Sequence, residues 1–287
     1  MARREMTKLS LSKKGFDTEN GGSPSPILPD GRMVSLPIPE PRTGASSPPY
    51  EQLTLDGGSL IRIMRRAGCN VAADAAAHVD PDLVEELLPR EQGWRGMFGQ
   101  VDSAEAHLAN QGMGSGALFL FWGWFAPCQA DGTLTDKKGF SAIFGYLEVD
   151  YVLAVGTDAI PDFVQHHPHV DEAYPRQRNR IYVARERLSW NPARPGWGVF
   201  RYDPQLRLST DASRSQWRLP RVFHPDNGCE LSYCTVTGPP GEQVDVQVPG
   251  RGQEFVCEMS PEIAAWARQL IDRTEIWSPR AASRGGF

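Results

Sequence analysis

Two short stretches hold most of the residues that could do chemistry. AHVDPDL, residues 77–83, carries His78, Asp80 and Asp82 at alternate positions. Alternate side chains of an extended chain point to one face, so an imidazole and two carboxylates would be presented together. Such a set could hold a divalent metal or serve as acid and base. HHPHVD, residues 166–171, contains half of the six histidines, with His167 and His169 flanking Pro168. Imidazole is a common metal ligand and the side chain best matched to proton transfer near neutrality. His107, in DSAEAHLANQG, is a further acid–base candidate.

Each stretch also has a plainer reading. Asp80-Pro81 resembles a helix start, with Asp80 as cap, Pro81 at the first position and Leu83, Val84, Leu87 and Leu88 as the apolar stripe, ending at Pro89. HHPHVD also reads as an exposed loop between strands. GMGSGA, residues 112–117, follows a predicted helix and precedes a predicted strand, the reverse of a dinucleotide-binding loop. Cys229 and Cys234, separated by four residues, have no second pair at zinc spacing.

The elements that must position these residues read as follows. Lys8 to Ser12 is a short strand, leading into a Gly- and Pro-rich loop that carries Asp17 and Asp30. That loop interleaves Phe16, Ile27, Leu28, Met33, Leu36 and Ile38, which predicts a packed, shaped segment rather than a slack linker. SLIRIMRRAG and DSAEAHLANQG predict helices, as does SPEIAAWARQLIDR, with Ser260 as cap and Pro261 at the first position. GALFLFWGWFA and FSAIFGYLEVDYVLAV predict an antiparallel hairpin across a segment containing Asp131-Gly132. RIYVARERL, Gly198–Leu208, Cys229–Val236 and Val244–Val248 add strand candidates. Strands and helices do not alternate regularly, so the expected class is α+β, built on a strongly bent, barrel-like antiparallel sheet. Residues 1–280 are expected to form one domain and 281–287 a loose tail. On LFLFWGWF, Trp122 and Trp124 share a face; core packing or stacking of a planar base would each explain them.

The net charge of −5 argues against indiscriminate coating of nucleic acid. Between Arg176 and Arg221, however, eleven arginines face only Glu186, Asp203 and Asp211, a local +8 against −13 elsewhere. Arg176, Arg178, Arg180 and Arg185 are the phosphate-binding candidates; a solvated face paired with the acidic remainder is the alternative. The segment MARREMTKLSLSKKG has no apolar stretch of a secretory signal, and ALFLFWGWFA is about half the length of a membrane span. Five scattered cysteines suit a reducing compartment. The expectation is a cytoplasmic protein without a membrane partner.

Several of these pieces together resemble a known family. KKGFDTENGGSPSPILPDG with SLPIP, then AHVDPDL, GWRGMFGQ, AHLANQGMGSGALFLFWGWF, FGYLEVDYVL, HPHVDEAYPRQRNRIYVARERLSW and RYDPQLRLS are similar to the nucleotide modification-associated domain family, third type. The likeness runs from about Lys8 to His224. It implies a place in the base-modifying systems of phages and bacteria, with a nucleotide or nucleic acid, DNA first, as partner, alongside other proteins of such systems. Asp17, Asp30, His78, Asp80, Asp82, His107, His167 and His169 fall in the matching blocks.

The combined reading is a protein acting in nucleotide or DNA-base modification. As an enzyme it would use Asp17, His78, Asp80 and Asp82, with His107, for acid–base or metal-assisted chemistry, and His167 and His169 as metal ligands. A divalent metal is the cofactor those groups would fit. A non-catalytic reader of modified bases, with a PUA-like fold and an aromatic slot, is the first alternative; a scaffold in a modification or defence complex is the second.

Overall fold

The computed structural model describes residues 7–40, 46–171, 177–239, 241–249 and 254–278. Its main sheet has nine strands: β1 (Lys8–Lys13), β2 (Ser25–Ile27), β3 (Met97–Val101), β4 (Leu118–Pro127), β5 (Phe140–Ala154), β6 (Asn179–Ala184), β7 (Trp197–Phe200), β8 (Glu254–Glu258) and β9 (Ile276–Ser278). The hairpin expected from the aromatic runs is there as β4 and β5, with Leu118 opposite Glu148 and Phe125 opposite Phe140. A bulge between Phe121 and Trp122 shifts the register.

The ladder runs β8-β1-β4-β5-β6-β3, with β2 beside β4, β7 beside β5 and β9 beside β7. β1 lies parallel to β4 and antiparallel to β8. It is buried on both faces, which is why Ser10 and Ser12 are as inaccessible as Leu9 and Leu11. Among the described residues the sheet's backbone ladder does not close into a barrel. Its two end strands meet through side chains, where Gln100 of β3 donates to Glu254 of β8 at 2.7 Å. The inner face holds Phe98, Phe119, Phe121 and Tyr182, with ring centres 5.0 to 5.8 Å apart. The α+β class is what the element pattern predicts; a closed barrel is not reached.

Three α-helices occur among the described residues: α1 (Leu60–Arg66), α2 (Asp102–Asn110) and α3 (Pro261–Arg273). α3 starts as its sequence predicts, with Ser260 Oγ accepting from the Ile263 N–H at 3.2 Å. No helix among the described residues is long and apolar enough to cross a membrane. Gln216–Pro220, Gln243–Gln247 and Thr235–Thr237 form a separate three-stranded sheet, so only the end of the expected Cys229–Val236 strand is extended.

The helix expected from Asp80 to Pro89 does not form; only Glu85–Leu87 makes a 3-10 turn. Asp82 instead exchanges two backbone hydrogen bonds with Met97, at 2.8 and 3.0 Å, and a helix would forfeit both. The Asp80-Pro81 peptide is cis. The opening loop is packed as expected: Phe16, Ile27, Met33 and Leu36 are buried. Gly21 has a positive φ of 89°, and a Cβ there would lie 2.2 Å from the Phe16 ring. Glycine is thus required on both counts.

Candidate metal centre

The site is assembled on the free edge of β3. Asp82, paired with Met97, lays the HVDPD segment along that strand. Among the described residues β3 is the end of the ladder, so its outward N–H groups are left to bond this segment, as Met97 N–H does with the Asp82 carbonyl. Gly99 N–H donates to Asp80 Oδ1 at 2.7 Å and fixes that carboxylate. Ala77–His78 pairs with Ile38–Pro39, with Ile38 opposite His78. Glu40 follows directly, and its Oε2 accepts from His78 Nδ1 at 2.9 Å. With the proton on Nδ1, the lone pair of His78 is on Nε2.

The second stretch arrives from 90 residues away in the chain. Pro168–Val170 forms a 3-10 turn in which His167 Nδ1 accepts from the His169 N–H at 3.3 Å. His167 therefore carries its proton on Nε2, which stands 3.3 Å from Asp80 Oδ1, within ion-pair range though outside hydrogen-bond alignment. Asn179, the first residue of β6, grips His169 twice. Its Nδ2 donates to the His169 carbonyl at 2.7 Å, so its Oδ1 accepts from His169 Nδ1 at 2.9 Å. That again puts a lone pair on Nε2. Close approach of the His169 ring to β3 depends on Gly99, where a Cβ would lie 2.5 Å from ring carbons.

One donor atom each from His78, Asp80 and His169 lies within 4.8 Å of the others. Electrostatics favour the protonation state a metal needs. Burial opposes the Asp80 charge, but His167, with His169 and His78, outweighs it and holds the carboxyl below the usual carboxylate range. Burial, against the pull of Asp80, pushes His169 down to about 3. At neutral pH the site therefore has an ionised carboxylate beside a neutral His169 imidazole.

The remaining candidates sit elsewhere. Asp82 does not share the face of His78 and Asp80; its two oxygens each accept from Arg90 at 2.6 Å, and Trp94 Nε1 donates at 3.1 Å. Both partners are buried, so Asp82→Ala strands the Arg90 charge. We expect a loss of about 3–5 kcal/mol in denaturant unfolding with metal affinity retained. Asp17 accepts from the backbone of Glu19 and Asn20 at 2.9 and 2.7 Å, shaping its own loop, and makes no contact with His78 or Asp80. His107 bonds Ser232 at 3.1 Å and Tyr233 at 3.2 Å, and burial lowers its pKa.

Much of the local positive charge is compensated within the fold. Arg180 pairs with Glu105 at 3.1 Å and Arg185 with Glu148 at 3.3 Å. Arg201, Arg207 and Arg218 pair with Glu275, Asp211 and Asp245. Arg194 donates to the carbonyls of Ile271, Asp272 and Thr274, at the end of α3. Arg178 is exposed and makes no ion pair among the described residues, and Arg176 lies outside them. Trp122 is buried, edge-on to Trp217 at 4.6 Å, whereas Trp124 is half-buried.

Sequence reasoning missed Glu40, Asn179 and Gly99. Only Gly99 left a signal, since a glycine inside a strand often marks close approach of another group.

No curated protein and no solved structure matches the chain. The model of the family described as nucleotide modification associated domain 3 matches residues 8–258, which contain every residue of the His78–Asp80–His169 centre and its supports. That family points to a role in a nucleotide modification system, and with nearly its whole length matched, the chain belongs to it.

Proposed function

We propose that the protein is a metal-dependent enzyme of a nucleotide-modification system, in which His78, Asp80 and His169 hold one divalent transition-metal ion. The observation that carries this reading is their convergence within 4.8 Å from two distant segments. The donor chemistry fits: two imidazoles and one carboxylate suit zinc, iron, manganese or cobalt and leave positions open for water or substrate. A bound ion would polarise a substrate oxygen or make a water acidic near neutral pH.

The chain's own residues prepare that chemistry. Glu40 and Asn179 hold protons on the Nδ1 atoms of His78 and His169, which fixes ring orientation and sharpens the basicity of the other nitrogen. Gly99 N–H and His167 hold Asp80 in place. Glu40→Gln should weaken metal affinity about 10- to 100-fold with little change in stoichiometry, measured by competition with a chromophoric chelator.

The substrate is a nucleotide, or a base within DNA. Incubating the metal-loaded and the chelated protein with nucleotides and with DNA, followed by mass spectrometry of the nucleosides, tests the reading. A mass change that needs metal and disappears in His169→Ala supports it. The same product from the chelated protein would overturn it.

A further inference from the structure

We propose that a second cavity, lined by Lys13, Asp17, Trp122, Trp124, Ser141 and Arg214, binds a nucleoside monophosphate. The inference rests on the nucleotide role above but uses none of the metal-centre residues. The cavity measures about 310 Å³, at the lower end of the roughly 300–1,000 Å³ typical of small-molecule sites. It suits one nucleotide rather than a strand.

Arg214 carries the argument. Its guanidinium carbon lies 4.0 Å from the centre of the Trp124 ring, within cation–π range. It is half-buried, yet it makes no ion pair among the described residues, in contrast to Arg180, Arg185, Arg201, Arg207 and Arg218. Burying a charge is unfavourable unless something compensates it, and stacking on an indole offsets only part. The planar N–H fork of a guanidinium matches two oxygens of a phosphate.

The rest of the lining suits the nucleoside. Trp124 is held by its Nε1–H, which donates to the Lys138 carbonyl at 2.8 Å. Gly139 makes room for that ring; a Cβ there would lie 2.7 Å from Nε1. Asp17, with Lys13 at 3.4 Å to balance its charge, offers an acceptor for a sugar hydroxyl or an exocyclic amino group. Burial lowers the Arg214 pKa and Asp17 opposes that shift, in keeping with a cation sheltered in a cleft.

The test is a titration of the full chain with nucleoside 5′-monophosphates, followed by tryptophan fluorescence and calorimetry. We expect one site per chain, with the matching nucleoside, lacking phosphate, bound about 10-fold or more weakly. Arg214→Ala should weaken the monophosphate by a similar factor with only a small loss of thermal stability, since its side chain makes no ion pair among the described residues and loses only the contact with Trp124. Arg214→Lys should recover part of the affinity, and Trp124→Leu should lose it by another route. Asp80→Asn should leave monophosphate binding unaltered. Absence of monophosphate binding, wild-type affinity in Arg214→Ala, or oligonucleotide binding that strengthens with length in preference to the monophosphate would each overturn the proposal. Metal binding without monophosphate binding removes this pocket alone; monophosphate binding without metal binding removes the metal centre alone.

Discussion

Asp80→Asn is expected to leave the protein folded and to abolish the metal binding proposed for it. Asn keeps an oxygen where Gly99 N–H donates at 2.7 Å, so the contact that holds HVDPD to the edge of β3 survives. It lacks the negative charge a divalent ion requires from the only carboxylate in the three-residue set. Metal affinity should fall by more than about 100-fold, beyond the range seen when only a supporting residue is lost. The metal-free protein should lose on the order of 1–3 kcal/mol, the cost of weakening a buried charged hydrogen bond.

The sign of the pH dependence follows from the same residue. The folded-state pKa of Asp80 is lowered, so its contribution to stability is present above the ordinary carboxylate pKa and is lost as pH falls through the folded value. The stability gap between wild type and Asp80→Asn should therefore close in acid. A gap that widens there would contradict the assignment.

The second large effect is expected from a single methyl group. In Gly99→Ala the new Cβ falls 2.5 Å from Cγ and Cδ2 of His169 and 2.7 Å from its Nδ1. The ring is held by Asn179 and cannot retreat without breaking that hydrogen bond. Overpacking of this kind typically costs about 1–3 kcal/mol, and displacing the imidazole also takes away one of the three donors of the proposed metal site. In the double variant Gly99→Ala, His169→Ala the clash is absent, so the two stability losses should be markedly non-additive. Simple additivity in a denaturation cycle would mean that the ring does not rest on Gly99.

Some of this was legible in the sequence, for physical reasons. The β4–β5 hairpin and α3 were readable because their signals are local: aromatic and β-branched runs, and Ser260 with Pro261 at a helix start. HVD and HPH stood out individually as groups of metal-binding residue types. Their meeting did not, because it depends on β3 being the end of the ladder, where Gly99 has an N–H to give to Asp80. Strict alternation would have placed Asp82 beside Asp80; the backbone exchange with Met97 and the Arg90 fork give it a structural task instead. The apolar stripe after Asp80 was misleading for a related reason, since a short apolar run fits a helix or an extended segment equally well. The arginine-rich segment misled in another way. A local charge sum counts no partners, and Glu105, Glu148 and Glu275, which pair with Arg180, Arg185 and Arg201, come from outside that segment.

The most direct test of the central claim is a metal titration of the purified, chelator-stripped chain, comparing wild type with His78→Ala, His169→Ala and the control Asp82→Ala. One transition-metal ion should bind per wild-type chain and per folded Asp82→Ala chain, and binding should be lost in both histidine variants. A wild-type chain that takes up no ion, or a His169→Ala chain that binds as the wild type does, would contradict the account.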